Sequence, residues 1–363
     1  MSRFYAIELY APDSAGGETQ TSFPGQASTT IPPNVSNGKS LTYAQSPSKI
    51  WTSHPNGNYD PGAQNIQFDV LTLQEALGNG TSFLVVIEGV SFQEIQQHNN
   101  YYNYGIRLYA GMMPGLPLAN GQPTPGLIAQ GYVERGIGNW VGEDMTMTLV
   151  CRWGIYSAAK PGNIVFQWSP GQTLQQALQS CLSLAYPGFQ ITFQISDKLV
   201  TSHTVTHIAS TLSDLTIWLG EYTREILGPS YNGVQIYLTN NGILLIDGTV
   251  PPQLTTQLKF TDLVGQPAWT GGSSTASLMD VMTVLRADLQ AGQQIKMPIV
   301  DQSLPGLVFE TPSYNNAALN YTTSFKGSFT IQSTRQIGNF RGESAADWSS
   351  VIRCNADTVT PAS

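Results

Sequence analysis

Apolar and polar residues alternate along most of this chain, which predicts a mainly β protein. Over residues 145–153, Met, Met, Leu, Cys and Trp alternate with Thr, Thr, Val and Arg, the period-two pattern of a strand with one buried face. The same alternation, or a short apolar run between turn residues, predicts further strands at residues 4–10, 66–73, 83–92, 106–110, 131–134, 164–168, 189–196, 234–238, 242–247, 278–285, 293–298 and 321–334.

Two segments near the middle of the chain have helical spacing instead. Thr173 is predicted to cap the first helix, because its hydroxyl can accept an early backbone N–H while Gln176 reaches back to the cap. The second helix is predicted to stop before a Gly-Pro pair. Its apolar stripe contains Ile208, Leu212, Leu215, Leu219, Tyr222 and Ile226.

One short segment occurs twice and divides the β-rich part of the chain. Residues 135–143 (RGIGNWVGE) reappear as residues 335–343 (RQIGNFRGE), each after a β-type run. The shared flanks favour duplication over chance, so we expect two related β modules. The predicted domains are a first module at 1–158, a small α+β domain at 160–229, a second module at 230–354 and a polar tail at 355–363.

Residues 13–63 interrupt the first module with a segment rich in Pro, Gly, Ser, Thr and Asn. A loop of that length is unusual inside a compact domain. Apolar anchors occur along it at Tyr43, Ile50, Trp51 and Tyr59. We interpret it as an arm that orders against a neighbouring subunit, and an unstructured loop is the alternative.

The amino-acid composition limits the kinds of function that fit this chain. Only 11% of the 363 residues are charged, against roughly 25% in ordinary soluble domains. The net charge is −8 and the 16 basic residues never form a run. Both features argue against a nucleic-acid-binding surface. Low charge with many aromatic residues is typical of secreted β proteins, glycan binders and subunits of permanent assemblies.

The positions of the cysteines and the hydropathy of the chain indicate the compartment in which it folds. The cysteines Cys151, Cys181 and Cys354 are far apart and support neither a disulfide framework nor a zinc site. The first residues lack the form of a secretory signal, and no apolar run reaches the about 18 residues of a membrane span. We expect a chain that folds in a reducing cytoplasm, with no membrane span.

No cluster of residues predicts a cofactor or a metal ion. His203 and His207 are four apart, but the β-branched residues between them favour a strand and no Glu or Cys accompanies them. Gly136 and Gly138 are not followed by the helix that a nucleotide loop needs, and we expect them to permit positive φ or close backbone approach at a turn or bulge. Asn139 is predicted to cap that turn with its side chain.

The carboxylates do not predict catalysis either. Glu143 and Asp144 are adjacent, so on a strand they would point to opposite faces, and Glu221 and Glu225 fit a solvated helix face. The sequence contains no nucleophile elbow, zinc-protease motif or phosphate-binding loop. We therefore predict that the protein is not an enzyme and has no catalytic residues.

Four arginines occupy comparable places in the two predicted modules. Arg135 and Arg335 lie in the repeated segment, and Arg107 and Arg286 lie on earlier strands. A matched arginine is predicted to pair with Glu143 or Glu343 within its own module. An exposed strand arginine is the alternative.

The order of these features resembles the central baseplate hub proteins of contractile-tailed bacteriophages. The strongest local likeness is in residues 284–298 and then 325–341, which are similar to the late strand-turn-strand and the closing strand of that family. The segment 13–63 departs from the pattern.

This resemblance implies two tail-tube-like β-barrel or sandwich modules around the middle domain. It also implies a homotrimer that adapts a sixfold tail tube to a threefold spike and leaves a bore for DNA. The implied partners are the tail tube protein, the trimeric spike and other baseplate proteins, and the implied location is the baseplate of the virion.

A phage surface protein that binds or degrades glycans is the alternative. It is suggested by the amide content and by the aromatic residues Trp51, Tyr101, Tyr102, Tyr104 and Trp140. A capsid-decoration or tail-tube subunit fits less well, because such chains usually have one module.

Overall fold

The protein is mainly β, with two related β modules on either side of a unit that contains two helices. The computed structural model describes residues 3–13, 20–21, 29–30, 34–36, 39–44, 46–73, 82–113, 125–153, 164–186, 190–228, 231, 233–240, 242–247, 249–250, 255–273, 276–298 and 328–356. The predicted fold class is confirmed.

The first β module is part of one large antiparallel sheet. Its strands and their short companions are β1 (Arg3–Tyr10), β2 (Pro12–Asp13), β3 (Gln20–Thr21), β4 (Thr29–Thr30), β5 (Asn34–Ser36), β6 (Lys39–Tyr43), β7 (Lys49–Thr52), β8 (Ile66–Leu73), β9 (Ser82–Glu88), β10 (Gly105–Met112), β11 (Gly126–Val141) and β12 (Asp144–Trp153). The order in the sheet is β8-β9-β12-β11-β10-β1-β7. On β12 the residues predicted to face inward, such as Met147 and Leu149, are fully buried.

A short helix, α1 (Phe92–Gln96), follows β9 where the sequence predicts the end of a strand. The Ser91 hydroxyl accepts the Glu94 backbone N–H, and the Glu94 carboxylate accepts the Ser91 N–H in return. This capping box starts the helix. The prediction of a strand to residue 92 is therefore wrong after Glu88.

The middle unit packs two helices against short strands. Its elements are β13 (Ile164–Trp168), α2 (Leu174–Ala185), β14 (Gln190–Gln194), β15 (Val205–Ala209), α3 (Leu212–Leu227), β16 (Gln235–Thr239) and β17 (Gly242–Ile246). The predicted capping box of α2 is present, since Thr173 and Gln176 exchange both hydrogen bonds.

Two details of this unit differ from the prediction. Ile208 belongs to β15 rather than to the helical stripe, because Thr211 caps α3 by accepting the Asp214 N–H. The hairpin β16–β17 was assigned to the second module, but β17 pairs in parallel with β14. These two strands are therefore in the sheet of the middle unit.

The second β module contains β18 (Thr255–Gln257), β19 (Ala268–Ser273), β20 (Ala276–Val284), β21 (Gln294–Lys296), β22 (Ser328–Asn339) and β23 (Trp348–Ala356). Its strand order is β19-β20-β23-β22-β21-β18. Asn355 and Ala356, predicted as the start of a polar tail, end β23. Residues 357–363, and residues 321–327 of the predicted strand 321–334, lie outside the described part of the chain.

The two modules repeat one topology. In chain order, β1, β8, β9, β10, β11 and β12 correspond to β18, β19, β20, β21, β22 and β23, and corresponding strands hold the same neighbours in the sheet. The repeated segment lies in the same hairpin of each module, β11–β12 and β22–β23, and each hairpin ladder has a β-bulge ahead of the repeated segment. One pair differs, since β1 and β10 are antiparallel whereas β18 and β21 are parallel.

The latter part of segment 13–63 orders on its own chain. β7 pairs with β1, and the Ser53 hydroxyl accepts the Tyr5 N–H at 3.0 Å. Trp51 is 3% exposed within the first core. For residues 46–63, the interpretation as an arm on a neighbouring subunit is therefore wrong.

Gly136 and Gly138 lie in the repeated segment of β11, where close packing leaves no room for a side chain. Neither lies at a turn; both lie within the strand, under α1 and the 3-10 turn His98–Tyr101. A Cβ on Gly136 would lie 2.4 Å from the His98 carbonyl oxygen, and one on Gly138 would lie 2.7 Å from Ile95 Cγ2. Close approach, one of the two predicted reasons, is therefore the reason for these glycines.

Gly136→Ala is expected to lower the free energy of unfolding by about 1–3 kcal/mol, because backbone must move to accept the methyl group. Chemical denaturation measures it. Gly220→Ala is the matched control: its Cβ would meet the Val234 carbonyl at an ordinary 3.5 Å in α3, so helix propensity should raise stability by up to about 1 kcal/mol. Equal effects of the two substitutions would contradict this account.

Candidate assembly interface

The two modules are joined by a continuous β-ladder. β22 pairs with β21 through its first residues and with β8 through residues 333–339, in the register Ser333↔Leu73 to Asn339↔Gln67. β8 is the edge strand of the first module, so the seam consists of one module edge lying beside the repeated segment of the other. Main-chain hydrogen bonds therefore fix the seam in one register.

Apolar side chains of the second module fill the core of the first. Phe340, from the repeated segment, is 8% exposed and lies edge-on to Tyr5 at 4.9 Å. Trp348 is 2% exposed, lies edge-on to Phe68 at 5.3 Å, and donates its indole N–H to the Gly111 carbonyl. Both belong to the main cluster of the first module, so separating the modules would open that core.

Arg3, on β1 of the first module, binds backbone carbonyl groups of the second module across the seam. Its guanidinium is buried and donates to the carbonyl oxygens of Asn339 (2.7 Å), Phe340 (3.1 Å), Gly342 (2.7 Å) and Ser344 (2.8 Å). Burial lowers the pKa of Arg3, and the charge of Asp347 opposes that shift. The planar guanidinium group has five N–H donors in a fixed geometry, so it can bind several carbonyl oxygens at once. The ammonium group of a lysine cannot reproduce this arrangement.

The turn of hairpin β22–β23 also rests on the first module. The Arg341 N–H donates to Asn65 Oδ1 at 2.9 Å, and its guanidinium donates to the Ala63 carbonyl at 2.6 Å. The Phe340 N–H donates to the Ile66 carbonyl at 2.9 Å. The repeated segment of the second module is thus held along its whole length.

The repeated arginines do not pair as predicted. Arg335 binds Asp69 across the seam through two hydrogen bonds of 2.9 and 2.6 Å, and this contact raises the pKa of Arg335. The predicted pair with Glu343 is wrong, because β8 brings Asp69 beside Arg335. Arg135 is exposed, and no acidic partner for it occurs among the described residues.

Of the other two arginines, Arg107 lies on β10, whereas Arg286, predicted to lie on a strand, follows the end of β20 at Val284. Arg286 pairs with Asp262 and Asp288. Arg107 is 1% exposed with its guanidinium over the Tyr10 ring. Neither contacts Glu143 or Glu343 in any recorded ion pair of the described chain.

The first module presents the equivalent surface without a cover. Residues 135–141 of β11 correspond to the segment of β22 that pairs with β8, yet in the described chain no strand lies along their outer side. Trp140, the counterpart of Phe340, is 60% exposed, and Val141 is 65% exposed. Phe92 lies edge-on to Trp140 at 5.3 Å and is itself half exposed.

The turn between β11 and β12 is stabilised by a different side chain from the one predicted. Asn139 pairs with Thr146 within the ladder, and the turn lies further on, where Gly142 has φ of +63°. The Trp140 indole donates to the Gly142 carbonyl at 2.8 Å, in place of the predicted Asn139 cap. Glu143 lies in the turn and Asp144 begins β12, so the two carboxylates share no site.

The histidine pair is structural. His207 lies on β15 and stacks on Trp218 at 4.1 Å, and His203 Nε2 lies 3.3 Å from the Tyr222 hydroxyl. Within the described ranges, no group of three His, Cys, Asp or Glu side chains is placed to hold a metal ion. Glu221 and Glu225 lie on the exposed side of α3.

The aromatic residues considered for glycan binding are divided by their burial. Trp51 and Tyr101 pack edge-on at 6.1 Å, and Tyr101 and Tyr104 at 5.6 Å, against the first core. Only Tyr102 and Trp140 of that set are exposed. The set therefore does not form a shared stacking surface.

Cys151, Cys181 and Cys354 are all buried, and burial raises the pKa of the Cys181 thiol to about 11. Among the helices that the structure describes, none has the length and apolar character to cross a membrane.

Several solved structures to which this chain is similar are tail proteins or resemble tail proteins. The 43 kDa tail protein of prophage MuSo2 from Shewanella oneidensis has a TM-score of 0.49 at 9% identity, over 98% of this chain and 99% of that one. The tail protein from Neisseria meningitidis has a TM-score of 0.45 at 9% identity, over 81% and 96%.

A component of the E. coli type VI secretion system, itself structurally similar to bacteriophage tail proteins, has a TM-score of 0.44 at 10% identity, over 80% and 73%. These identities limit the likeness to the fold. No protein-family model matches this chain, and no curated protein matches its sequence. Phage tail proteins, to which the sequence resemblance also points, are among the solved structures that this chain is similar to.

Arg3→Met is expected to lower the free energy of unfolding by on the order of 3 kcal/mol, because buried carbonyl groups lose their donor. Arg335→Met is the matched control: its ion pair is about half exposed, so the loss should stay within about 1 kcal/mol. Denaturant titration measures both. A smaller loss for Arg3→Met than for Arg335→Met would show that the carbonyl fork does not hold the seam.

Proposed function

We propose that this chain is a structural subunit of a contractile phage tail, the baseplate hub that connects the tail tube to the central spike. The observation that carries the proposal is the seam, where two modules of the same topology join edge to edge through a continuous ladder. Two modules joined in this way behave as two adjacent subunits of a ring fused into one chain. The sequence resemblance to hub proteins supports the same function.

A homotrimer follows from this arrangement. Three chains with two modules each provide six similar units, which match a sixfold tube on one side, while the three chains themselves match a threefold spike on the other. Closed symmetry also protects sheet edges, because each edge strand then pairs with a neighbour instead of remaining open.

The charge balance supports a bore through which DNA passes. The net charge is −8 with 16 basic residues in total, so the summed field repels phosphate and does not retain it. The proposed role needs no catalysis, and we assign no catalytic, cofactor or metal residues. The protein would fold in the host cytoplasm and join the virion at the baseplate.

The division into domains stays a prediction, with one amendment from the strand pairing. The first module at 1–158 and the second module, predicted at 230–354, surround the middle unit. That unit is extended from 160–229 to include β16 and β17, which pair with β14.

Light scattering of the purified chain tests the proposal. The expected mass is three times 39.3 kDa, either for the chain alone or after mixing with its tube or spike partner. Particle images of the trimer should show a ring of six similar units around an open bore. A chain that stays monomeric alone and in every partner mixture would overturn the proposal.

A further inference from the structure

The internal repeat identifies which surface of one copy meets which surface of the next. We infer that residues 135–141 of β11 bind the outer edge of β19 in a second copy of this chain, through a β-ladder that reproduces the internal seam. This inference rests on the proposed ring of copies and adds the residues and the orientation of the contact.

The first step is the equivalence of strands. Inside the chain, the edge strand β8 lies beside the repeated segment of β22. β8 corresponds to β19, and β22 corresponds to β11, by the shared topology of the modules. The contact that repeats the internal seam is therefore β19 against β11. In the sheet of one chain these two strands are separated by β20, β23, β22, β8, β9 and β12, so the partner must be another copy.

The second step is that both strands have an open side. β19 pairs with β20 on one side and, among the strands that the structure describes, with none on the other. β11 pairs with β12 along 135–141, while β10 pairs only with residues 126–132. Unpaired N–H and C=O groups in a row favour addition of a strand.

Helix α1 does not take the open place beside β11. It packs on the sheet face, since the Cβ directions of Gly136 and Gly138 point at His98 and Ile95. Side chains of a strand stand perpendicular to the sheet, whereas pairing occurs in the plane of the sheet. The edge of residues 135–141 thus stays accessible in this chain.

The third step is the difference in burial between two equivalent aromatic residues. Phe340 is 8% exposed because the first module covers it, whereas Trp140 is 60% exposed. An exposed Trp beside Val141 and Phe92 is the kind of residue that dominates interface energies when it is covered. The Phe340 ring packs on Tyr5 of β1, and the Phe340 N–H donates to the Ile66 carbonyl at the start of β8. The corresponding strands β18 and β19 of a second copy would therefore cover Trp140.

The region before β19 has matching chemistry. Phe260 lies in the 3-10 turn Phe260–Asp262 and is 57% exposed. It lies eight residues before β19, so it is not the counterpart of Asn65, which directly precedes β8 and accepts the Arg341 N–H. Phe260 places an exposed apolar side chain in the segment that leads into β19, as Trp140 does near the end of β11.

This contact is head-to-tail, because each copy binds one neighbour through β19 and the other neighbour through β11. Such contacts generate a ring when the rotation closes, and the fused seam supplies the same rotation inside each chain. Three copies would then alternate internal and external seams around the ring.

Two measurements test the contact. Trp140→Glu in the full chain should weaken self-association roughly tenfold or more, measured by light scattering over a dilution series. Leu184→Glu is the matched control, since Leu184 is 85% exposed on α2, away from both edges, and it should leave association unchanged. Circular dichroism should show both variants folded.

The second measurement does not depend on the Trp140 variant folding. Asn139→Cys and Thr270→Cys chains are each treated with a short thiol crosslinker, alone and as a mixture, and the native cysteines are buried. Crosslinked dimers are expected only in the mixture. A trimer in which the mixture gives no crosslink, or in which either variant crosslinks alone, would overturn the inferred contact but leave the trimer intact. A wild-type chain that is monomeric in all mixtures would overturn the trimer as well.

Discussion

The ladder between β8 and β22 is the constraint on which the rest of the structure depends. It joins two modules in one register, positions Asp69 beside Arg335, and brings Phe340 and Trp348 over the first core. A two-module chain could have been linked loosely, with independent cores and a mobile interface. Here the backbone pairing and the shared apolar core hold the two modules together.

Local pattern predicted most of the strands and helices. The alternation over β12 and the capping box of α2 both depend on neighbouring residues, and both are present as expected. Helix α1 was missed because its five residues are too few to show a helical period beside a strand. Ile208 was assigned to a helix because an apolar residue at the right spacing also fits the adjacent strand β15.

The seam could be predicted only in part. The repeated segment marked the correct hairpins, since Arg, Gly and Asn recur at the same spacing. The partner of Arg335 is Asp69, which is far away in the sequence, and no local rule selects it over Glu343. Arg3 lies on the first strand and gives no motif, so its four carbonyl contacts become visible only in three dimensions.

The position of Trp348 has a consequence for synthesis of the protein. The first module contributes most of its core before residue 154, but Phe340 and Trp348 complete that core from near the other end of the chain. Contacts between such distant residues form late, because the entropy of closing long loops is lost before the contact is gained. A ribosome-bound first module would therefore expose an unfinished apolar surface until Trp348 has been translated, and chaperones would be expected to protect it during that interval.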